Sequence, residues 1–318
     1  MFSVIMPAYN GERFIEDAIE SVISQTYRNW ELVIVNDGST DNTLSVLSQY
    51  ADNPKIKVIT QINGGVSSAR NTAMQNASYD YFAFLDCDDL WLDNHLETLA
   101  KMVEQYPDAG TYATLAQIRL ADGRKISNID YFENRPDKAM GTVYIEDFFA
   151  EYDRDKKAKT HFPSCACVSR KAAEVCGGFK KGCKIGEDLA FFLTAAVYFP
   201  VVLSSEVTSV YEKGNSTATK DVSFDPDWYF FEDVKKILGD ETVAESTKKS
   251  IKNVMQWFTM RRCRHYIIDG KKKKAWKSFF EIGRSPKLFK DKLITFFVLL
   301  MPKAAVRKIF MIRWRSRG

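Results

Sequence analysis

The chain has 318 residues, of which 45% are hydrophobic and 27% are charged. This length and composition are sufficient for a buried core and exclude a largely disordered chain. The N-terminus has neither a basic segment nor a long apolar one, so we expect no cleaved secretory signal. The six cysteines include no Cys-x-x-Cys pair, and we interpret them as free thiols in a reducing cytosol rather than as metal ligands.

The net charge of +4 is unevenly distributed along the chain. Residues 271–318 contain 15 Lys and Arg against only Glu281 and Asp291, a balance of +13. The other 270 residues contain 30 basic and 39 acidic side chains, a balance of −9. An acidic body with a basic C-terminal segment predicts that the segment meets an anionic surface.

The first 105 residues alternate between short apolar runs and amphipathic stretches. Strands joined by helices at this spacing indicate right-handed βαβ units and a mostly parallel sheet. The predicted strands are residues 2–6, 31–36, 55–60 and 81–85, and the predicted helices are 12–25, 40–50, 66–76 and 94–105.

The pattern is less regular beyond residue 109. Residues 121–140 are polar and resemble a loop, and from residue 227 onward the pattern is mainly helical. The predicted strands here are residues 110–120, 164–169 and 201–211, and the predicted helices are 187–199, 227–268 and 273–282.

Polar side chains follow each of the first four predicted strands. In a parallel sheet, ligands bind beyond the carboxyl ends of the strands, so these positions predict a binding site at one sheet edge. They are Ala8-Tyr9-Asn10, Asp37, Asn63, and the pair Asp86 and Asp88.

Asp86-Cys87-Asp88 is a candidate metal-binding motif. Two carboxylates at i and i+2 just past a strand offer the hard oxygen ligands that Mg²⁺ or Mn²⁺ prefers. Such pairs are also common in ordinary loops, and the position beside Asp37 is what favours a metal here. No Gly-x-Gly-x-x-Gly follows the first strand and no Walker lysine motif occurs, which disfavours a dinucleotide-binding or P-loop enzyme.

Two interpretations, one functional and one structural, are open for Arg70 and for the Glu187-Asp188 pair. Arg70, one turn into a predicted helix, could face a diphosphate or lie on a solvated helix face. Acidic residues at a helix start interact favourably with the helix dipole, which is a sufficient structural reason for Glu187 and Asp188. Alternatively, burial and a neighbouring carboxylate would raise the pKa of Asp188 and make it a better general base.

Five blocks share their order and spacing with a known family. They are Val4–Asn10, Val35–Asp41, Asn63–Asn71, Phe84–Asp89, and Gly177–Phe179 followed by Gly186–Asp188. Together they resemble the family 2 glycosyltransferases of GT-A fold, and the resemblance covers about residues 1–215. It implies an α/β fold with a Rossmann-like, mostly parallel sheet flanked by helices, and a helical C-terminal extension.

The resemblance also implies a division of the chain. Residues 1–218 would form the glycosyltransferase domain, with residues 1–108 binding the nucleotide-sugar and residues 109–218 the acceptor. Residues 219–318 would form a helical region ending in a basic amphipathic tail.

By the same resemblance, the site would bind a nucleoside-diphosphate sugar, expected to be a UDP-sugar, together with Mn²⁺ or Mg²⁺. Asp188 would take the proton from the acceptor hydroxyl in a single inverting displacement. Asp88 would hold the metal, assisted by Asp86, which would also reach the ribose. The remaining nucleotide contacts would be Pro7, Ala8, Tyr9, Glu12, Asp37, Asn63 and Arg70.

One segment departs from the family pattern. Members often carry a Tyr-Arg-x-His-like segment whose His assists the metal or diphosphate, whereas this chain has Tyr211-Glu212-Lys213-Gly214-Asn215. Either Lys213 substitutes as the cation or the contact is missing.

The C-terminal tail predicts a membrane contact. Residues 292–302 contain a mostly apolar stretch of about ten residues, too short for a span of ~20. Residues 303–317 alternate apolar and basic side chains, as in an interfacial helix. We therefore expect residues 287–317 to bind the cytoplasmic face of a membrane, although a helix packed on the catalytic domain would give the same pattern.

The leading hypothesis is a metal-dependent, hexosyltransferase-type enzyme that extends a glycan or polyprenyl-linked acceptor in cell-surface polysaccharide synthesis. A second hypothesis is a catalytically silent module that binds nucleotide-sugar or membrane. A nucleotidyltransferase would need a Gly-rich triphosphate loop after the first strand, and Pro7-Ala8-Tyr9-Asn10 does not supply one. The acidic body and the lack of a recognition motif argue against nucleic acid.

Overall fold

A computed structural model describes residues 1–120, 123–127, 130–133, 141–155, 163–183, 186–212, 230–283 and 288–301. The chain divides into two compact units, residues 1–223 and residues 224–318. The first unit contains one sheet of ten strands among the described residues.

The first half of this sheet is parallel. Its strands are β1 (Phe2–Ala8), β2 (Trp30–Asn36), β3 (Ile56–Thr60) and β4 (Tyr81–Phe84), in the spatial order β3-β2-β1-β4. Every residue of β1 is buried, as expected for a central strand covered on both faces. The connections contain α1 (Ile15–Ile23), α2 (Thr43–Ser48) and α3 (Val66–Gln75), while β5 (Leu90–Trp91) and α4 (His95–Gln105) follow β4.

The second half of the sheet is mixed. The strands are β6 (Thr111–Arg119), β7 (Lys125–Ser127), β8 (Thr142–Ile145), β9 (Ala166–Ser169) and β10 (Val201–Glu212). β9 runs antiparallel to both β4 and β6, and β10 is parallel to β6 but antiparallel to β5 and β8. The helices are α5 (Asp130–Glu133), α6 (Phe148–Arg154), α7 (Arg170–Cys176) and α8 (Glu187–Tyr198).

Several predicted boundaries differ from the structure: the helix predicted over 40–50 is Thr43–Ser48, the stretch predicted as helical over 227–268 is interrupted after Gly239, and the loop predicted over 121–140 contains β7 and α5. Two further differences have identifiable local reasons. The helix predicted from residue 12 begins at Ile15, because the Gly11 carbonyl accepts the Phe14 and Ile15 N–H groups in a preceding turn. The strand predicted from residue 164 begins at Ala166, because Pro163–Cys165 form a 3₁₀ turn.

The second unit is helical. It contains α9 (Phe230–Gly239), α10 (Glu245–Ile268), α11 (Lys272–Glu281) and α12 (Phe289–Leu300). One core joins the last three helices, with Cys263 and Tyr266 of α10, Phe279 of α11 and Leu299 of α12 all buried in it. In the part of the chain that the structure describes, no helix combines the length and the apolar character needed to cross a membrane. Most of the predicted membrane tail, residues 302–317, lies outside the described residues.

Candidate functional site

Asp37, directly after β2, holds the loop that follows β3. Its Oδ1 accepts hydrogen bonds from Gln61 Nε2 (2.6 Å) and from the Gly64 backbone N–H (2.8 Å). Its Oδ2 accepts one from the Gly65 N–H (2.8 Å), and Asn63 Nδ2 donates to the Asp37 carbonyl (2.9 Å). Three of about four acceptor positions on this buried carboxylate are therefore engaged by the loop. The contact of Asp37 with a nucleobase stays a prediction.

The other predicted nucleotide contacts lie at the end of β1. Pro7 and Ala8 are buried as its last residues, whereas Tyr9 is 47% exposed at the sheet edge. Glu12 is exposed, and its Oε2 accepts the N–H of Asn42 (2.8 Å), which ties the loop after β1 to the loop after β2. Tyr9 is thus the member of this group that presents an aromatic ring to solvent.

Three carboxylates follow β4. The Asp86 side chain is 29% exposed, whereas Asp89 is buried and accepts a hydrogen bond from Ser164 Oγ (2.5 Å). Burial and the charge of Asp86 raise the pKa of Asp88 to about 6. Burial also raises the pKa of Cys87 to about 12, so this thiol stays protonated. The carboxylates, and not the thiol, are therefore the candidate metal ligands of this loop.

Arg70 of α3 joins two parts of the site. Its side chain is 2% exposed, with Nη2 2.7 Å from Asp86 Oδ1 and Nη1 3.0 Å from Glu187 Oε1. The guanidinium also lies over the Phe179 ring, 5.1 Å from its centroid. The alternative of a solvated helix face is therefore wrong, because the side chain is enclosed by its carboxylate partners. A contact of Arg70 with the nucleotide stays a prediction.

The Gly177-Gly178-Phe179 block contacts Asn71, the residue next to Arg70 in α3. The amide of Asn71 accepts the Phe179 N–H (2.8 Å) and donates to the Phe179 carbonyl (2.7 Å). Gly178 has φ +75°, and a Cβ there would lie 2.6 Å from Asn71 Oδ1. Only glycine fits this close approach, which explains its place in the motif.

Asp188 lies in the first turn of α8. Its Oδ1 accepts the Leu189 N–H (2.6 Å). Burial, followed by the neighbouring charge of Glu187, raises the pKa of Asp188 well above the usual range of an aspartate, although Arg70 opposes the shift. A raised pKa suits a general base, and that role of Asp188 stays a prediction. The helix-dipole explanation for two acidic residues at a helix start applies as well.

The carboxylates after β4 and at the start of α8 lie close together. Burial and the charges of Asp89, Asp88, Asp86 and Asp188 all raise the pKa of Tyr211 in β10, which places that side chain beside the cluster. Several carboxylates facing one described arginine repel one another, and a divalent cation would relieve that repulsion. The donor set therefore fits Mg²⁺ or Mn²⁺.

Within the described ranges, no three His, Cys, Asp or Glu side chains form a metal-binding group. Mg²⁺ is commonly held by one or two carboxylates, with water and substrate phosphates completing its shell. A site built on Asp88 and Asp86 is consistent with that mode. Of the segment that departs from the family pattern, Tyr211 and Glu212 are described, and residues 213–215 lie outside the described residues.

We expect the metal-free protein to lose stability as the pH rises from about 4 to about 6. The folded-state pKa of Asp88 is raised to about 6, so in this window the folded state binds more protons than the unfolded state. The free energy of unfolding should fall by on the order of 2 kcal/mol for this group. Urea denaturation in chelator at several pH values measures it.

In that experiment the variant Asp88→Asn should lose part of the pH dependence. The variant Asp52→Asn, at an exposed position, serves as the control and should retain all of it. An identical decline in the wild type and in Asp88→Asn would contradict the prediction.

Two residues of the cluster were not among the predicted site residues. Glu187 was considered only as a neighbour of Asp188, yet it pairs with Arg70. The Glu-Asp sequence at a helix start was the signal available for it. Ser164, which donates to Asp89 and also accepts the Asp86 N–H (3.1 Å), reaches the loop from 78 positions further along the chain and had no local signal.

Comparison with known proteins adds to this geometry. Residues 3–176, just over half of the chain, match the family described as Glycosyl transferase family 2. The UDP-Glc:alpha-D-GlcNAc-diphosphoundecaprenol beta-1,3-glucosyltransferase WfgD of Escherichia coli is 44% identical over 104 residues, which is 32% of this chain and 41% of WfgD. TuaG of Bacillus subtilis, whose name assigns it to teichuronic acid biosynthesis, is 33% identical over 174 residues, or 52% of this chain and 66% of TuaG.

Among solved structures, residues 1–349 of Staphylococcus aureus TarS in complex with UDP-GlcNAc superpose with a TM-score of 0.69 at 19% identity, covering 88% of this chain and 80% of that one. The mannosyltransferase PcManGT of Pyrobaculum calidifontis, in complex with GDP-Man and Mn²⁺, gives 0.51 at 17% identity, covering 96% and 72%. At these identities the likeness concerns the fold.

Proposed function

The chain belongs to glycosyl transferase family 2, and we propose from this that it transfers a sugar from a nucleoside-diphosphate sugar to an acceptor hydroxyl. The observation that supports this most is the cluster of Asp86, Asp88 and Asp188 around Arg70, within and just beyond the matched residues. The matched segments of WfgD and TuaG are 41% and 66% of those proteins, so their substrates enter here only as part of the proposal.

In the proposed reaction, Asp188 accepts the proton of the acceptor hydroxyl as the oxygen attacks the anomeric carbon. The bond to the nucleoside diphosphate breaks on the opposite side, which inverts the configuration. Asp188 suits this role because its raised pKa makes it a stronger base than an ordinary aspartate. Placing the two sugars in line contributes to the rate by removing the entropic cost of their encounter.

Asp88, with Asp86, would hold Mn²⁺ or Mg²⁺. A divalent cation at this position supplies Lewis-acid stabilisation of the charge on the leaving diphosphate. Arg70 fixes Asp86 through its 2.7 Å ion pair and so limits the positions that the Asp86 carboxylate can adopt. Pro7, Ala8, Tyr9, Glu12, Asp37 and Asn63 would surround the base and ribose.

We take the donor to be a UDP-sugar, since WfgD is named for UDP-Glc and the TarS structure contains UDP-GlcNAc. The acceptor is a glycan or a polyprenyl-linked glycan in cell-surface polysaccharide synthesis, in line with the names of WfgD and TuaG. The protein would act at the inner face of the membrane, bound peripherally through residues 287–317.

Thermal stabilisation by nucleoside diphosphates tests the donor site directly. With Mn²⁺ present, UDP at 100 times its dissociation constant should add about 2.7 kcal/mol to the free energy of unfolding. The variant Asp88→Ala should lose the metal-dependent part of this gain, whereas Asp52→Ala should retain it. UDP-sugar hydrolysis by the same samples separates an enzyme from a silent binding module, because the module would be stabilised without turnover. No stabilisation by any nucleoside diphosphate would overturn the proposal.

A further inference from the structure

Large apolar side chains are exposed on one face of α11 and α12. Phe280 is 76% exposed, Phe289 is 69%, Leu300 is 58% and Phe297 is 54%. A soluble surface tolerates single exposed apolar residues, but a contiguous group marks an interaction site. We name this group the apolar face of α11–α12, and its members are Phe280, Phe289, Leu293, Phe296, Phe297 and Leu300.

The spacing shows that this is one continuous face. On α12 the positions 289, 293, 296, 297 and 300 follow the helical period, while Thr295, Val298 and Leu299 on the opposite side are buried. Trp276 of α11 connects the two helices, since its ring stacks on Phe280 (5.7 Å between centroids) and makes a T-shaped contact with Phe296 of α12 (6.0 Å). α12 is therefore packed through one side and exposes an equally apolar second side.

Basic side chains border this face. Lys273 and Lys277 are exposed and precede Phe280 at i, i+4 and i+7, so all three share one side of α11. The exposed Lys290 is next to Phe289. By sequence, residues 302–318 add six Lys and Arg and no Asp or Glu.

The two acidic side chains of residues 271–318 are both neutralised by α10. Arg264 Nη2 lies 2.6 Å from Asp291 Oδ1, and Arg262 pairs with Glu281. No uncompensated carboxylate of this segment therefore opposes an anionic surface. Two copies of the same face would instead bring two strongly basic segments together, which disfavours self-association as the reason for the exposed residues.

We propose that the apolar face of α11–α12 docks in the interface of an anionic lipid bilayer. Both helices lie in the plane of the membrane, with the aromatic and aliphatic side chains among the acyl chains and the lysines at the headgroups. α12 has 12 residues, and at about 1.5 Å per residue it is too short to span. The proposal refines the membrane location given above, adds Trp276, Phe280, Lys273 and Lys277 to it, and does not depend on glycosyl transfer.

Vesicle flotation of the full chain tests this proposal. The probes are vesicles of phosphatidylcholine alone and vesicles containing phosphatidylglycerol. The apolar variant is Phe280→Ser with Phe297→Ser, and the charge variant is Lys273→Gln with Lys277→Gln. The matched controls are Val175→Ser with Leu44→Ser, and Lys249→Gln with Lys252→Gln, which change exposed residues elsewhere.

The wild type should bind the anionic vesicles and bind more weakly at high salt. The charge variant should bind about 30-fold more weakly, because each lysine near an anionic surface contributes about fivefold. The apolar variant should bind at least about tenfold more weakly, because it removes two rings that the bilayer would bury. Both controls should bind like the wild type. Circular dichroism establishes that each variant is folded.

Three results would overturn the proposal. They are wild-type binding no stronger to anionic than to neutral vesicles, unchanged binding by the folded apolar variant, and a dimer of the wild type that the apolar variant converts to a monomer. UDP-sugar hydrolysis in lipid-free buffer is the independent readout for the proposed function. All of these variants should retain it, so loss of membrane binding and loss of enzymatic activity are distinguishable.

Discussion

Replacing Asp188 with asparagine should lower kcat by about three orders of magnitude, the middle of the range for removing a general base. Asparagine keeps the shape and the hydrogen bond with the Leu189 N–H but cannot accept the acceptor's proton. Stabilisation by UDP should remain close to that of the wild type, because Asp188 is not among the proposed nucleotide contacts. Steady-state kinetics with a UDP-sugar and an acceptor, combined with thermal denaturation, measure both quantities.

The pH dependence of turnover provides a second test of this role. A general base acts in its ionised form, so kcat should rise with pH and level off above the pKa of Asp188, which burial and Glu187 raise. The variant Glu187→Gln removes the negative charge that raises the pKa of Asp188, while the positive charge of Arg70 still lowers it. The rise in kcat should therefore occur at lower pH in this variant. An Asp188→Asn variant that keeps a tenth of the wild-type kcat would refute the assignment.

Replacing Arg70 with methionine should destabilise the protein by about 3 kcal/mol, the size expected when one member of a buried ion pair is removed. The change leaves Asp86 and Glu187 facing each other across the space that the guanidinium filled, and it removes the contact with the Phe179 ring. Turnover should fall at least about 100-fold, because the carboxylates beside the reacting groups lose their fixed positions. Urea denaturation and kinetics on the same sample measure the two effects.

A double-mutant cycle identifies the cause of this loss. Adding Glu187→Gln to Arg70→Met removes one of the two unpaired charges, so the double variant should be more stable than the sum of the single changes predicts. The control is Lys101→Met, which breaks an exposed ion pair with Glu97 and should change stability by less than about 1 kcal/mol. Additive effects of the two buried changes would show that Arg70 and Glu187 act independently.

The family and the GT-A class of fold were predictable from the sequence, and the match over residues 3–176 and the TM-score of 0.69 with TarS confirm both. The prediction depended on the motif blocks at the strand ends. Each block follows an apolar run, and the end of that run indicates where the buried strand ends. The parallel direction of β1 to β4 followed from the alternation of strands and helices, which does not fix their spatial order, β3-β2-β1-β4. The antiparallel pairing of β9 with β4 and β6 was not predictable, because no local sequence pattern shows which distant strands will lie on either side of it.

The site was less predictable because its contacts are distant in sequence. Arg70 and Glu187 are 117 positions apart, and nothing near either residue signals the other. The block pattern included both residues, but it indicated only ligand contacts for Arg70 and no site role for Glu187. The contacts of Asp37 were likewise not predictable from the sequence. Its position after β2 was evident, but its hydrogen bonds with the Gly64 and Gly65 amides depend on the position of the loop after β3.

Arg70 and Asn71 have a consequence for engineering chimeric enzymes. These adjacent residues of α3 hold the start of α8 and the Phe179 backbone, both of which belong to the half predicted to choose the acceptor. If residues 109–218 of a relative replaced those of this chain, the grafted segment would lack its own α3 and therefore the residues that contact Phe179 and the start of α8. The segment to transplant should instead begin at Val66, so that it includes α3 and the recipient supplies β1, β2 and β3 with the helices α1 and α2 between them.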